Sequence, residues 1–372
     1  MMKFHTTTSV LKKITEAAAG VISSNTVLPI LEDFQFRCID RKLYITTTDL
    51  ETTILAYTDI EHDSNGTVSI PGKLLVNLLK SLPEETIKFN IGKGNEIEIK
   101  TDSGKYKLQG EPGDDFPKVP PIDNDDKILM KGSTFLRIVK KSLFAIGNDE
   151  LRPAMTGMFM EHTDDKTNFV CTDAHKLSHT ELRQNVTGKN FNFILPKKAL
   201  QLLSAQIPDD ENEITIQYND KHAFFSFGNY TLICRLVDAR FPDYKAVIPT
   251  SPAKTAIINS NELLNTLRRC TLFSPKVTHQ ISLTFTKDKI QVQSNDLDFS
   301  SEATEEIKCE YDGEEITMSF NGYFLTDIIS SLGTPDIKLM FDSPTRASII
   351  HPVPQVEHED TLMLIMPIMV NN

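Results

Sequence analysis

The sequence predicts an α+β protein made of three tandem copies of one unit, each with two helices packed on antiparallel sheets. Similar segments recur about every 124 residues along all 372 residues of the chain. Each copy has two stretches in which apolar residues follow the three-to-four spacing of an amphipathic helix. The stretches between them alternate apolar and polar residues, which is typical of half-buried antiparallel strands.

The repeat is clearest in three sets of matching segments. Asp49, Asp173 and Asp296 lie in LYITTTDLE, NFVCTDAHKL and IQVQSNDLDF, at spacings of 124 and 123 residues. The second set is SIPGKLLVNLLKSL, FILPKKALQLLSAQ and SFNGYFLTDIISSL, each an extended entry followed by an amphipathic helix. The third set is KYKLQGEPGDDFP, NYTLICRLVDARFP and DTLMLIMPIMV. A repeat of this kind indicates copies of one structural unit that pack against their neighbours.

The repeat and the helical spacing place the individual elements. We predict helices over residues 9–20, 72–81, 132–147, 196–206, 260–273 and 321–332, with some eight strands in each unit. The segments PKVPPIDNDDK and VIPTSPAKT are rich in Pro and polar residues, as linkers tend to be. We therefore predict domains over residues 1–125, 126–250 and 251–372.

The sequence closes on LMLIMPIMVNN, in which nine consecutive residues from Leu362 to Val370 are apolar. A helix needs about 20 apolar residues to cross a membrane, and Pro367 interrupts any helix here. The run is therefore a buried strand, an exposed edge, or partly each. The repeat identifies it as the closing strand of the third unit.

Composition and motifs exclude several classes of function. The opening MMKFHTTTSVLKK has no apolar core, so we expect no secretory signal. Five scattered cysteines without a CxxC pair are typical of reduced thiols in a cytoplasm. No GxxxxGK[ST], GxSxG or HExxH motif is present, so the sequence has no recognisable apparatus for ATP, serine or zinc hydrolysis.

Two alternative interpretations fit the sequence less well. His175 and His179 are four apart and near Asp173, but the surrounding TDAHKLSHTEL alternates like a strand, so we expect no metal and no cofactor. A β-rich hydrolase or carbohydrate-binding protein would need aromatic residues clustered in a cleft, whereas Trp is absent and Phe is scattered.

Positive charge is concentrated on the predicted helices although the whole chain carries −12. The helices carry eleven basic residues, opposed only by Glu16, Glu262 and Asp327. The basic residues are Lys12, Lys13, Lys73, Lys80, Arg137, Lys140, Lys141, Lys197, Lys198, Arg268 and Arg269. On one helix such charges are ordinarily a solvated face. Their segregation in so acidic a chain predicts a basic surface that faces phosphates.

Several motifs together make a family resemblance specific. They are KFHTTTSVLKKITEAAAGVI, NTVLPILEDF, TDLE, TDAHKL, LVDARFPDY, FNGYFL and the closing LMLIMPIM. Over its full length the sequence resembles the bacterial DNA polymerase III beta subunits, the sliding clamps. The resemblance implies a non-catalytic processivity factor with three clamp domains in each chain. Two chains would close head to tail into a ring whose helices line the hole. The alternative within this resemblance is the two-repeat eukaryotic and archaeal type of clamp, which closes as a trimer, whereas three repeats favour a dimer.

The same resemblance implies partners and a location. The ring would encircle duplex DNA without reading its sequence, slide along it, and tether the replicative polymerase catalytic subunit through a hydrophobic peptide-binding cleft. An ATP-dependent clamp loader would open the ring, and other DNA polymerases and repair proteins would share the cleft. We expect a cytoplasmic, nucleoid-associated homodimer with no membrane association.

The resemblance also implies roles for individual residues. The eleven helix cations and Arg152 would face DNA. The dimer interface would contain Tyr106, Leu108, Leu272, Phe273, Glu302, Glu305 and Glu306. The partner cleft would contain Met155, Thr172, His175, Leu177, Pro242, Val247, Thr278, Asn321, Phe324, Pro344, Arg346, Leu364, Ile365, Met366, Pro367, Ile368 and Met369.

The sequence departs from the family pattern in places. Ala246 stands where the best-known members have Arg, and Pro153 and Ala154 follow Arg152 where many relatives have aromatic residues. FNGYFL is one residue shorter than in some relatives, and we prefer Phe324 to Tyr323 as the cleft aromatic.

Overall fold

The computed structural model of the chain describes residues 2–22, 28–122, 126–163, 165–183 and 189–369. Within these residues there are six α-helices: α1 (Thr8–Ala19), α2 (Gly72–Ser81), α3 (Gly132–Ser142), α4 (Lys197–Gln206), α5 (Ser260–Thr271) and α6 (Gly322–Leu332). Their bounds agree with the predicted helices within two residues, except that α3 ends five residues early. There the chain tightens into a 3-10 turn, Leu143–Ala145.

Side-chain caps and buried apolar stripes explain where the helices form. The Thr7 hydroxyl accepts a hydrogen bond from the Val10 N–H at the start of α1, and Asn321 accepts bonds from the second and third N–H groups of α6. Gly333 caps the C-terminus of helix α6, and its φ of 63° suits a residue without a Cβ. These signals are local, so the sequence alone was able to place them.

The strands fall into three groups that follow the repeat. The first group is β1 (Met2–Thr7), β2 (Asp33–Ile39), β3 (Lys42–Thr48), β4 (Thr52–Asp59), β5 (Glu61–Ser64), β6 (Gly66–Pro71), β7 (Thr86–Ile91), β8 (Glu96–Lys100), β9 (Lys105–Gln109) and β10 (Glu111–Pro112). The second is β11 (Lys127–Lys131), β12 (Gly157–Thr163), β13 (Lys166–Thr172), β14 (Lys176–Leu182), β15 (Phe191–Pro196), β16 (Glu213–Tyr218), β17 (His222–Phe227) and β18 (Tyr230–Arg235). The third is β19 (Lys254–Asn259), β20 (Gln280–Thr286), β21 (Lys289–Asp296), β22 (Ser301–Lys308), β23 (Ile316–Asn321), β24 (Asp336–Phe341), β25 (Ser348–Val353) and β26 (Glu359–Ile365).

Each repeat contributes two four-stranded antiparallel ladders with the same order. The ladders that begin with the strand leading into the first helix of each repeat are β1-β7-β8-β9, β11-β16-β17-β18 and β19-β24-β25-β26. The others are β6-β2-β3-β4, β15-β12-β13-β14 and β23-β20-β21-β22. The predicted threefold architecture of two helices on antiparallel sheets is therefore confirmed.

Two joints connect successive repeats through a shared sheet. Strand β4 of the first repeat pairs with β18 of the second, and β14 of the second pairs with β26 of the third. We call these the first joint and the second joint. The closing strand β26 thus lies inside an eight-stranded sheet, between β14 and β25. Its side chains from Met363 to Ile365 are buried, and those of Met366 and Met369 are exposed.

The chain forms two compact units, each of which contains one joint. The first unit contains Met1–Leu136 with Lys198–Leu236, and the second contains Arg137–Lys197 with Val237–Asn372. The central repeat is split between them because each of its two ladders continues into a neighbouring repeat. The predicted domain boundaries near residues 125 and 250 stay predictions, and residue 125 itself lies outside the described residues.

Candidate functional site

The second joint has an apolar cluster beneath one side of its sheet. Leu177 on β14 lies directly opposite Leu364 on β26, and both are buried. They pack with Val170, Phe241 and Tyr244 in one cluster. Ala154, Ile248 and Ala347 pack against the same cluster. These three are chain neighbours of the predicted cleft residues Met155, Val247 and Arg346, which brings the backbone of those residues near the cluster.

The hairpin before β14 is held by Asp173. Its Oδ1 accepts hydrogen bonds from the N–H groups of His175 and Lys176, each at 2.9 Å, and its Oδ2 accepts one from Lys176 Nζ at 2.6 Å. Burial raises the pKa of Asp173, but these hydrogen bonds outweigh it and leave the pKa below its ordinary value. The carboxylate therefore stays charged and fixes the His175 turn beside the joint.

The segment after β26 is tied to both sides of the joint. The Met366 N–H donates to the His175 carbonyl at 2.9 Å, and the Ile368 N–H donates to the Ser319 carbonyl at 2.7 Å. These bonds hold residues 366–369 as a strip in which Met366 and Met369 present exposed apolar side chains. Residues 370–372, which include the two terminal Asn, lie outside the described part of the chain.

An aromatic side chain borders the same region. The Phe324 ring lies 6.1 Å from the His175 ring, and Lys176 Nζ stands 4.1 Å from the Phe324 ring centroid. The neighbouring Tyr323 instead packs against His279, with ring centroids 4.6 Å apart. Phe324, rather than Tyr323, therefore borders the joint.

The predicted cleft residues differ in how accessible they are. His175, Pro242, Val247, Thr278, Pro344, Arg346, Met366 and Met369 are exposed, while Met155, Asn321, Phe324, Pro367 and Ile368 are partly exposed. Thr172, Leu177, Leu364 and Ile365 are buried. Ile365 packs into the core of the third repeat, because successive strand residues point to opposite faces, so it is not part of the apolar cluster with Leu364.

Sequence reasoning missed several residues of this region. The motif TDAHKL predicted no individual role for Lys176. Its ammonium donates a hydrogen bond to Asp173 and lies over the Phe324 ring. Val170 and Tyr244 complete the apolar cluster. No local pattern in the sequence indicates that Val170 lies near Leu364.

The predicted basic residues also differ in their surroundings. Lys13, Lys73, Lys80, Lys140, Arg152 and Arg268 are exposed, whereas Lys12, Lys197 and Lys198 are partly exposed. Lys198 Nζ bonds Asp49 Oδ2 at 2.5 Å, and Arg269 bonds Glu305 through both Nε and Nη2. These two cations are at least partly neutralised within the chain.

Lys141 departs from the predicted basic surface. Its side chain is only 7 % exposed and lies 3.8 Å from Glu359, whose side chain is 1 % exposed. Burial lowers the pKa of Lys141. Arg137 donates to the same carboxylate from Nε at 3.0 Å. The expectation that Lys141 faces solvent was wrong, because its helical face packs against the start of β26.

The predicted interface residues lie on the edge strands β9 and β22 and just after helix α5. Tyr106 and Leu108 are partly exposed on β9, and Leu272 and Phe273 are exposed after α5. Glu302 and Glu306 are exposed on β22. The Glu305 side chain, also on β22, instead contacts helix α5 of the same repeat. There a side-chain hydrogen bond from Arg269 lowers the pKa of Glu305.

Metal-ligating groups and membrane-spanning helices were considered for the residues that the structure describes. These residues contain no group of three or more His, Cys, Asp or Glu that could hold a metal ion, and His179 instead hydrogen-bonds Asn168 at 2.9 Å. Burial lowers the pKa of His179. Among the described helices, none is long and apolar enough to span a bilayer.

Comparison with known families matches nearly the whole chain. Models of the DNA polymerase III beta subunit match as the N-terminal domain over residues 2–120, the central domain over 129–243 and the C-terminal domain over 245–368.

Curated relatives and solved structures that resemble this chain are named as beta sliding clamps or DNA polymerase III beta subunits. The beta sliding clamp of Pseudomonas aeruginosa is 24% identical over 368 residues, covering 98% of this chain and 99% of the relative. That of Staphylococcus aureus is 25% identical over 357 residues, covering 93% and 94%. A crystal structure of the Thermotoga maritima DNA polymerase III beta subunit matches with a TM-score of 0.91 at 25% identity, covering 100% of both chains. A P. aeruginosa sliding clamp bound to griselimycin matches with a TM-score of 0.94 at 24% identity, covering 99% of this chain and 100% of that one.

Proposed function

Because the chain belongs to the DNA polymerase III beta subunit family, we propose that it works as a dimeric sliding clamp. In this role it is a non-catalytic processivity factor that keeps a DNA polymerase on its template. Two chains close head to tail into a ring around duplex DNA. The replicative polymerase is held at a hydrophobic groove on the second joint.

One observation carries the ring proposal: each chain makes the same joint twice and leaves the elements of a third joint open. Strand β22 occupies the place in the third repeat that β4 and β14 occupy in the first two. Strand β9 occupies the place of β18 and β26. Within the described residues, β9 and β22 each stand at the end of a sheet. An open strand edge is a template for pairing with another chain.

Side chains beside these edges support pairing between two copies. Strand β9 carries exposed Lys105 and Lys107, whereas β22 carries exposed Glu302 and Glu306. Leu272 and Phe273 are large apolar side chains left exposed beside the third repeat. Charge complementarity with an apolar centre suits a specific interface.

The ring binds DNA through charge and not through base contacts. The exposed cations Lys13, Lys140 and Arg268 lie on the first helix of each repeat. Attraction of such cations to phosphate does not depend on sequence, which permits sliding. Arg137 and Lys141 hold Glu359, so we assign them a structural role rather than a role in DNA binding.

The groove binds short apolar segments of client proteins. Its exposed apolar surface includes Val247, Met366 and Met369, and Phe324 lies partly exposed beside them. An extended or helical peptide with apolar anchors buries such surface, at about 25 cal/mol per Å². We assign to this groove the replicative polymerase, other DNA polymerases and repair proteins. We further propose that an ATP-dependent clamp loader opens the ring, in a cytoplasmic, nucleoid-associated setting.

Retention on circular DNA tests the proposal. After loading on a nicked circle, the protein should co-elute with the DNA as a dimer of twice 41.9 kDa, and linearisation should release it. Replacing Lys13, Lys140 and Arg268 with Glu should weaken retention on every sequence and flatten its salt dependence. The matched control replaces the exposed Lys127, Lys221 and Lys287, which lie off the helices. Retention that survives linearisation would contradict topological binding.

A further inference from the structure

The two joints share one strand register, and this register predicts which residues of β9 and β22 would pair in a third joint. At the first joint Thr53 lies opposite Ile233, and the Arg235 N–H donates to the Glu51 carbonyl at 2.8 Å. At the second joint Leu177 lies opposite Leu364, and the Met366 N–H donates to the His175 carbonyl at 2.9 Å. In both, the same carbonyl of the hairpin turn receives the N–H two residues past the paired position.

The third-repeat hairpin identifies the residue that corresponds to Leu177. Leu177 lies opposite Thr172, the residue before Asp173. In the third repeat Asn295 precedes Asp296, and it lies opposite Glu302. Glu302 on the open edge of β22 therefore occupies the place of Leu177.

The ladder of the first repeat identifies the residue that corresponds to Leu364. In the third repeat Leu339 pairs with Ile350, and Ile350 pairs with Met363. In the first repeat the matching ladder runs from Phe89 through Ile99 to Tyr106. Tyr106 therefore occupies the place of Met363, and Lys107 that of Leu364. A third joint with the same register places Lys107 directly opposite Glu302 of the partner subunit.

The hairpin between β21 and β22 has a longer tip than its two counterparts. Three residues separate Asp173 from Leu177, whereas five separate Asp296 from Glu302. The longer tip carries Leu297 and Phe299, which are 83 % and 63 % exposed. Two apolar side chains this exposed at the end of a hairpin have no role in the core of their own chain.

A cavity beside β9 lies where this tip would arrive. It has a volume of about 350 Å³, and its lining combines the apolar Ile97 and Leu108 with polar residues that include Glu96, Glu98, Lys107 and Gln109. Glu96 lies opposite Gln109 as His222 lies opposite Arg235 in the second repeat. At the first joint the tip residue Leu50 lies beside His222 and Ile233. The cavity therefore occupies the position that a hairpin tip covers at the first joint.

We propose that Leu297 and Phe299 of one copy anchor the dimer by inserting into the β8–β9 cavity of the other. The Gln109 N–H then donates to the carbonyl of Ser300 of the partner subunit, as Arg235 and Met366 donate within the chain. Lys107 pairs with Glu302 of the partner subunit, and Lys105 lies diagonal to it. This inference rests on the proposed ring and specifies which residues close it.

Site-specific disulfide formation tests the register. Directly opposite residues on paired strands have Cβ atoms close enough for a disulfide after modest adjustment. A chain with Lys107→Cys and Glu302→Cys should form a covalent dimer under mild oxidation, since all five native cysteines are buried. The register control is Gln109→Cys with Glu302→Cys, which moves one thiol by two residues along the same strand. Cross-linking of the control in preference to the first pair would overturn the register.

Dilution measurements test the anchor. Leu297→Ala with Phe299→Ala should raise the dimer dissociation constant by about tenfold or more, as expected for removing central apolar anchors. The control Leu151→Ala removes an equally exposed leucine and should leave it unchanged. An unchanged dissociation constant in the double variant would overturn the anchor while leaving the dimeric clamp intact. A wild-type chain that stays monomeric would overturn the ring itself.

Discussion

The first and second joints have the same backbone pairing but different side chains. At the first joint the hairpin is surrounded by polar contacts, with Lys198 on Asp49 and Arg235 on Glu51. The cavity beside it has a volume of only about 60 Å³ and is bounded in part by Pro117 and Pro120 of the following linker. The second joint has the Leu177–Leu364 cluster and the exposed strip of residues 366–369.

The difference shows that the joint and the groove are separate properties. The same backbone register connects two repeats at both places. The proposed groove depends in addition on the exposed apolar side chains of Met366 and Met369 next to that register. In the proposed ring, the open edges β9 and β22 are a third case, in which a second copy completes the register.

The largest expected effect is on the buried ion cluster found at the second joint. Glu359→Ala leaves Lys141 and the partly buried Arg137 without their carboxylate, and should lower the free energy of unfolding by about 3–5 kcal/mol. Gly228 occupies the matching place at the first joint, so no such cluster can form there through that position. Denaturant titration gives the value. The control Glu357→Ala, at an exposed carboxylate, should change it little; an equal loss in both variants would contradict the cluster's role.

A smaller effect is expected from Asp173. Asp173→Asn weakens bonds from His175 and Lys176, so it should lower the free energy of unfolding by about 1.5–3 kcal/mol at pH 7. The pKa of Asp173 is lowered on folding, so its stabilisation is present above the ordinary value of 3.8 and is lost as pH falls through the lowered pKa. The difference in unfolding free energy between variant and wild type should therefore shrink as the pH falls below 3.8 and through the lowered pKa. A gap that grows on acidification would refute this assignment.

The methionines after β26 separate binding from stability. Met366→Ser with Met369→Ser should weaken binding of polymerase-derived peptides about tenfold, which corresponds to about 1.4 kcal/mol. Thermal unfolding should hardly change, since both side chains are exposed. Leu151→Ser is the matched control at an exposed apolar site away from the joint. Wild-type peptide affinity in the double variant would remove the strip from the groove.

The smallest effect is expected at the first joint. Glu51→Ala removes the exposed ion pair with Arg235 but leaves the backbone bond between the same residues. Exposed pairs contribute about 0–1 kcal/mol, so the free energy of unfolding should fall by no more than that. A loss as large as that of Glu359→Ala, measured in the same titration, would mean that the two joints do not differ as described.

How far the sequence predicted these features depends on the range of the interactions. The helices followed from local apolar spacing and from the repeat, so α2 and α6 were placed within one residue. The repeat also marked the hairpins at Asp49, Asp173 and Asp296, each of which accepts bonds from the turn that follows it. Interactions between distant residues were not visible in the sequence. Arg137 meets Glu359 across 222 positions, and no local pattern reports such a contact.

Strand neighbours were the hardest feature to predict. Alternation shows which face of β26 is buried, but it does not show which strand lies beside it. The closing strand is the last strand of its unit, as the repeat predicts, but the sequence did not show that it also pairs with β14 of the second repeat. The same limit explains why Ile365 was placed with Leu364 although the two point to opposite sides of the sheet.

The central claim is that the joint made twice within the chain is made a third time between chains, and amide hydrogen exchange tests it directly. Well above the dimer dissociation constant, peptides covering β9 and β22 should exchange as slowly as those covering β18 and β26. Dilution below that constant should speed exchange in β9 and β22 and leave β18 and β26 unchanged. Rapid exchange of β9 and β22 at every concentration, in a protein whose mass is that of a dimer, would contradict the claim.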